Sequence, residues 1–340
     1  MPTITAADLR EIGLAAGLTR VGFTHARPFT EARVALITRK EAGFHGGMQF
    51  TYRNPERSTT PTRILESAES LIVGAWPYAA PPAATASPGN RPQAEIAAYA
   101  WRDHYTSLKA ALSTMADRLI AEGFQARVVA DDNALVDRAA AVRAGVGWAG
   151  KNSNVLVPGH GSWFVLGAVV TNAPLDHDQP VQPACGGCRR CLDGCPTGAI
   201  IAEGVVDARR CLAWLLQADG DFPVEFRKAL GTRIYGCDDC QTVCPPSRST
   251  SVTMHGDEVT SLDLMSLLTM SDEDLLAAVG RWYIPKRDLR YVRRNALVAL
   301  GNATVSSEQR QEAKAVVDLY RGDDEMLNEH ARWATEQLGL

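Results

Sequence analysis

Apolar positions along the first half of the chain switch between two periods. In ADLREIGLAAGL they recur every three and four residues, which marks one face of an amphipathic helix. LTRVGF and SLIVGAW are short runs that read as strands. Residues 80–92, APPAATASPGNRP, carry no period and predict a loop. A helix is predicted near 101–122 with Gly123 as its C-cap residue, followed by the strand QARVVA and a helix over 134–144. WFVLGAVV, from Trp163 to Val170, has the length of a buried strand and falls short of the ~18 apolar residues that suggest a membrane span. Alternating strands and helices predict an α/β (α+β) domain over residues 1–178. Over 179–250 the periodicity fades into turns. Beyond 250 the pattern becomes helical throughout, and RRNALVALGN onward reads as two or three short helices resembling paired helical-repeat units.

The low-periodicity stretch holds all eight cysteines of the chain. Cys185, Cys188, Cys191 and Cys195 form C-x2-C-x2-C-x3-C-P; Cys237, Cys240 and Cys244-Pro follow, with Cys211 between the runs. Zinc sites usually show separated C-x2-C pairs, and clustered thiols in a reducing compartment favour metal over disulfides. The first run has the spacing of two-cluster ferredoxins, in which the fourth cysteine ligates the other [4Fe–4S] cluster. That rule assigns Cys185, Cys188, Cys191 and Cys244 to one cluster, and Cys195, Cys211, Cys237 and Cys240 to the other. Pro196 and Pro245 each remove a backbone donor and fix φ, bending the chain away behind the last cysteine. Some 180 residues precede the clusters, far more than a ferredoxin needs, so the site that consumes the electrons is expected there.

Composition narrows the partners. A net charge of −4 gives no global basic field for nucleic acid, so any such contact needs a local patch. The first residues lack the charged and apolar regions of a signal peptide, and a cytoplasmic protein with no membrane association is expected. Gly145-Val-Gly147-Trp-Ala-Gly150 matches G-x-G-x-x-G, but a helical pattern precedes it and a strand-like one follows. That is the reverse of a dinucleotide site, so Gly145 reads as a helix C-cap and no nicotinamide is expected.

Several stretches together resemble the epoxyqueuosine reductase family. They are Asp131-Asp-Asn-Ala-Leu-Val-Asp-Arg138, Ala144-Gly-Val-Gly-Trp-Ala-Gly-Lys151-Asn152, Gly161-Ser-Trp-Phe-Val-Leu-Gly167, the cysteine runs in this order, Arg57 with Pro61, Tyr99-Ala-Trp-Arg-Asp103, and Arg294-Asn-Ala-Leu-Val-Ala-Leu-Gly-Asn302. The resemblance implies a cobalamin-dependent enzyme that reduces epoxyqueuosine to queuosine in the tRNA anticodon loop. It implies a cobalamin-binding domain over 1–178, a ferredoxin-like double-cluster domain over 179–250 and a HEAT-like helical domain over 251–340, in a chain acting as a monomer. An external low-potential donor such as ferredoxin or flavodoxin supplies electrons. The cobalamin of the family takes no histidine ligand from the protein, and this chain has no D-x-H-x-x-G. By motif match, Asp131 is the proton donor to the opening epoxide, while Arg57, Tyr99, Asp131, Lys151, Asn152, Ser162 and Gln217 surround the corrin. Asp132 departs from the small hydroxyl residue usual in the family and is a rival acid. For Asp131 the competing structural role is a helix N-cap; for Lys151 and Asn152 it is a solvated turn, and for Ser162 the start of a strand.

Residues 281–294, RWYIPKRDLRYVRR, carry six basic residues and one acidic. Arg287, Arg290, Arg293 and Arg294, with Arg281 and Lys286, are candidate RNA contacts, and Tyr283 or Tyr291 could stack on bases. The ordinary meaning of such a run is a solvated helix surface. This segment lacks the threonine-containing stretch that the family usually has before the helical repeat. Two rival readings are a dehalogenase-like cobalamin reductase, which generally carries a twin-arginine signal not found here, and a non-catalytic iron–sulfur electron carrier.

Overall fold

The computed structural model describes residues 4–80, 91–248 and 256–340. Most of the predicted 80–92 loop lies outside these residues.

The first half of the chain builds a four-stranded sheet in the order Arg20–His25, Ser70–Pro77, Phe164–Thr171, Ala126–Ala130. Every neighbouring pair is antiparallel. This corrects the expectation drawn from alternating elements. Phe164–Thr171 arrives last in sequence yet inserts between Ser70–Pro77 and Ala126–Ala130, so the parallel pair joined through the helix His104–Ala121 is split by an antiparallel strand and the layout is α+β. Both faces of the sheet are covered, which explains the unbroken apolar run of Phe164–Thr171. On one face Ile72, Val165 and Val169 share a core with Leu108, Leu112, Met115 and Leu119, spaced four, three and four apart along the helix His104–Ala121. On the other, Leu71, Val73, Ala168 and Val170 pack with Ala140 and Ala141 of the helix Asp137–Arg143. Gly74 and Gly167 face each other across the two central strands. A Cβ on Gly167 would stand 2.7 Å from Leu112, so these positions let the long helix press close to the sheet.

The helix at 137–143 starts three residues later than predicted, and its N-cap is Val136, not Asp131. Asp131 instead adopts φ 53°, a left-handed conformation at the end of the strand Ala126–Ala130.

A second sheet joins three short strands that are far apart in the chain. Gln93–Ile96 lies between Arg233–Tyr235, which is parallel to it, and Ser261–Asp263, which is antiparallel. Residues beyond 250 are therefore not helical throughout: the three-residue strand exists because Gln93–Ile96 offers it an edge. Helices then follow at Leu264–Thr269, Asp272–Val279, Arg290–Asn302, Arg310–Asp318 and Glu325–Leu338. Arg290–Asn302 is buried almost all round and packs against Glu325–Leu338. One continuous core runs from Leu9 of the first helix to Ala334 of the last. Among the described residues no helix is long and apolar enough to cross a membrane.

Candidate functional site

All eight cysteines are free thiols. Short helices at Arg190–Asp193 and Asp239–Thr242, one in each cysteine run, pack together and bring the runs side by side. The electrostatic couplings among the thiols separate them into two groups of four. Cys191 feels the charges of Cys244 and Cys185, and Cys244 those of Cys185 and Cys188. Cys240 feels Cys237, Cys211 and Cys195; Cys237 feels Cys211, and Cys211 feels Cys195. Among the described residues no three His, Cys, Asp or Glu side chains converge on the space of a single ion.

The groups differ in setting. In the first, Cys188 is exposed, while Cys191 and Cys244 are buried. In the second, every thiol is part-exposed although the surrounding protein strongly desolvates Cys211, Cys237 and Cys240, as expected for side chains lining a deep cleft. Burial raises the pKa of these three thiols, and also of Cys191 and Cys244. Burial disfavours the thiolate form of these cysteines, and a bound cationic metal would offset that cost. Two donors already point at sulfur in the second group: Ala199 N–H donates to Cys195 Sγ (3.2 Å) and Asn154 Nδ2 to Cys240 Sγ (3.9 Å).

Asp131 directly follows the strand Ala126–Ala130 of the main sheet. Its carboxylate reaches solvent, yet desolvation by the surrounding protein raises its pKa, with Asp132 and Asp103 adding repulsion and Lys109 opposing. Its charge is felt by Tyr105 and Tyr235. Tyr235 stands beside Tyr99 (ring centroids 6.0 Å apart), and Gln217 Nε2 donates to the Tyr99 hydroxyl (3.2 Å). Arg57 donates to Asn133 Oδ1 (3.3 Å) and Ser58 Oγ to the Asn133 carbonyl (2.8 Å), tying the helix Pro55–Ser58 to the Asp131 turn. Asp132 is engaged in that turn, with Oδ1 accepting from Ala134 N–H (2.8 Å).

The structure thus gathers Arg57, Tyr99, Asp131 and Gln217 around one place. Lys151, Asn152 and Ser162 lie instead against the cysteine segment. Lys151 Nζ donates to the Gly186 carbonyl (2.7 Å) and pairs with Glu203 (2.6 Å). Asn152 Nδ2 donates to the Cys240 carbonyl (3.1 Å). Ser162 Oγ donates to Gln241 Oε1 (2.9 Å) and meets Ser247 Oγ (3.0 Å). Sequence reasoning missed Tyr105 and Tyr235, which no motif marks, and Asp238, whose carboxylate accepts from Ala98 N–H (2.7 Å) and is pushed by burial up to about 6. Two buried polar atoms, Ser153 Oγ and His45 Nδ1, have no hydrogen-bond partner among the described residues. They suit a site where a further polar group docks.

The basic segment 281–294 starts at this tyrosine wall. Trp282 stacks on Tyr235 (4.5 Å, 12°), and Tyr283 N–H donates to the Tyr235 hydroxyl (2.8 Å). Most of its cations are engaged internally. Arg287 donates to the Gly280 carbonyl, Arg290 pairs with Asp288 and Asp324, and Arg293 pairs with Asp272. Arg294 is a correction: it is fully buried, and its guanidinium donates to the carbonyls of Leu215, Ala218 and Gly220. It holds the segment after Cys211 in place and cannot reach a phosphate. Tyr291 is buried against Arg294, leaving Tyr283, 58% exposed, as the free aromatic face.

Two four-thiol groups, together with an acid of raised pKa set among tyrosines, are the parts of an iron–sulfur oxidoreductase. Residues 184–247 match the 4Fe-4S double cluster binding domain family, and residues 59–132 match the family described as epoxyqueuosine reductase QueG, DUF1730. The chain is 34% identical to the epoxyqueuosine reductase of Vibrio cholerae, over 98% of this chain and 91% of that protein. Identity to the epoxyqueuosine reductase of Bacillus subtilis is 30%, over 98% and 87%. The fold is similar to the crystal structure of an epoxyqueuosine reductase with an epoxyqueuosine-modified tRNA-Tyr stem loop, with TM-score 0.89, 30% identity, and 98% and 90% of the two chains covered. This chain belongs to the epoxyqueuosine reductase family.

Proposed function

We propose that the protein reduces epoxyqueuosine to queuosine in tRNA, a reaction for which two [4Fe–4S] clusters held by the eight cysteines and a cobalamin held near Asp131 would supply the electrons. The observation that carries the reading is the placement of Asp131, an acid of raised pKa, near Tyr235, which leads two residues on into Cys237 of the second run. Bound cobalamin supplies a strongly reducing cobalt centre. The chain supplies the path and the proton. Cys185, Cys188, Cys191 and Cys244 form the outer cluster, which takes electrons from an external low-potential donor such as ferredoxin or flavodoxin. Cys195, Cys211, Cys237 and Cys240 form the inner one. As the epoxide carbon–oxygen bond opens, charge develops on oxygen and Asp131 donates its proton there. Desolvation favours the protonated form that this role requires, and the turn hydrogen bond of Asp132 makes it the weaker candidate.

Arg57, Tyr99 and Gln217 orient the corrin rim, while Lys151, Asn152 and Ser162 act one step back by fixing the cysteine segment against the sheet. Functionally the chain divides into a corrin part (1–178), an electron-delivery part (179–250) and a HEAT-like helical part (251–340), the last supported by the packing of Arg290–Asn302 on Glu325–Leu338. RNA lies over Tyr283 with Lys286, Arg287, Arg290 and Arg293 at its backbone. Lys286 and Arg287 hold φ of 54° and 57°, a backbone strain of the kind that concentrates at functional segments. The protein works in the cytoplasm as a monomer.

Corrin uptake separates this proposal from an electron carrier. Anaerobically purified, cluster-reconstituted protein is expected to take up cobalamin and show corrin absorption after gel filtration. A protein with both clusters and no bound corrin is a carrier, and the enzyme reading fails.

A further inference from the structure

The segment Gly145–Gly150 matched a nucleotide fingerprint that the fold does not support: the helix Asp137–Arg143 precedes it and the hairpin Trp148–Ala149/Val155–Leu156 follows. Its glycines serve packing. Gly145 has φ 67°, and a Cβ there would stand 2.4 Å from the Gln179 carbonyl oxygen; one on Gly147 would stand 2.4 Å from that of Leu156. The turn is therefore pressed against the chain that leads into the first cysteine run.

Trp148 is what this close packing positions. It is 6% exposed and forms a small buried cluster with Leu156 and Cys244, against which Val181 and Cys185 pack. Its indole Nε1 is buried without a hydrogen-bond partner among the described residues. The indoles of Trp101, Trp163 and Trp214 each donate to a backbone carbonyl, at 2.7, 2.8 and 2.8 Å. Trp282 also lacks a partner but stacks on Tyr235. A buried donor left unpaired is uncommon and calls for a partner. The groups that share this pocket with Trp148 are two thiols of the outer cluster.

The geometry points to Trp148 as an N–H donor to a sulfur of the outer cluster. An added electron concentrates negative charge on the sulfurs, so a donor there favours the reduced state and raises the reduction potential. Trp148 makes the surface-facing cluster easier for an external donor to reduce. The inference rests on the double-cluster reading above.

The test is an EPR-monitored redox titration of anaerobically reconstituted full-length protein, wild type and Trp148→Phe, with iron counted in both. The midpoint potential of one cluster is expected to fall while the other stays in place. Two unmoved potentials at full iron overturn the role of Trp148; a wild-type protein that cannot hold two clusters overturns the reading beneath it. Should Trp148→Phe lose iron, HYSCORE spectroscopy of reduced wild-type protein labelled with 15N-tryptophan decides. A 15N coupling on a cluster signal supports the bond, and its absence refutes it.

Discussion

Replacing Arg294 with methionine keeps most of the side-chain volume and removes every donor. The carbonyls of Leu215, Ala218 and Gly220 then lose a charged partner in a buried site. Each unpaired buried acceptor costs about 1–1.5 kcal/mol, and relief from burying the guanidinium returns part of this. Burial already pushes the Arg294 pKa down to about 10, so the charge itself is held at some cost. A net loss of about 3 kcal/mol results. With roughly 2.1 cal/mol/K of unfolding entropy per residue, a chain of this length unfolds with about 0.7 kcal/mol/K, so Tm falls by about 4 °C. Arg290→Met provides the comparison, because its guanidinium is half exposed in ion pairs with Asp288 and Asp324 and contributes little. Scanning fluorimetry of both variants reads the difference. Equal melting temperatures would refute the claim that Arg294 is a structural pin, and a tRNA affinity lost only in Arg294→Met would return it to the RNA surface.

Asp131→Asn should lower single-turnover rate by roughly two to four orders of magnitude while cluster and corrin absorption persist; an active variant removes Asp131 from the mechanism. Because the acid form donates and the folded pKa is raised, wild-type rate should hold at low pH and fall as pH rises through that pKa. A rate that rises over the same range contradicts the assignment. Cys211→Ala should reduce bound iron from about eight to about four per chain, since one whole cluster loses a corner; retention of all the iron would break the partition. Arg290→Glu should weaken tRNA binding and lower the slope of log affinity against log salt by about one. An unchanged slope places the phosphate contacts elsewhere.

What could be read from sequence was local. Helical and strand periods at 6–15, 104–121 and 164–171 depend on neighbours in the chain, and the double-cluster character of the cysteine segment depends on a spacing rule, so both were legible. The antiparallel order of the main sheet was not, because it depends on which edge Phe164–Thr171 finds after a long excursion. Ser261–Asp263 is too short to carry a period and becomes a strand only by pairing with Gln93–Ile96. Arg294 misled because it follows Arg290 and Arg293 in a basic run, whereas the helix enters the core after its first turn. Tyr105 and Tyr235 come to Asp131 from separate elements, and nothing in their local sequence marks them.

The most direct measurement is anaerobic incubation of the reconstituted protein with epoxyqueuosine-containing tRNA and a low-potential reductant, with and without cobalamin, read by nucleoside mass spectrometry. The account predicts queuosine in the tRNA only when both clusters and cobalamin are present. Epoxyqueuosine left intact by the fully loaded protein, or queuosine formed without cobalamin, would contradict it.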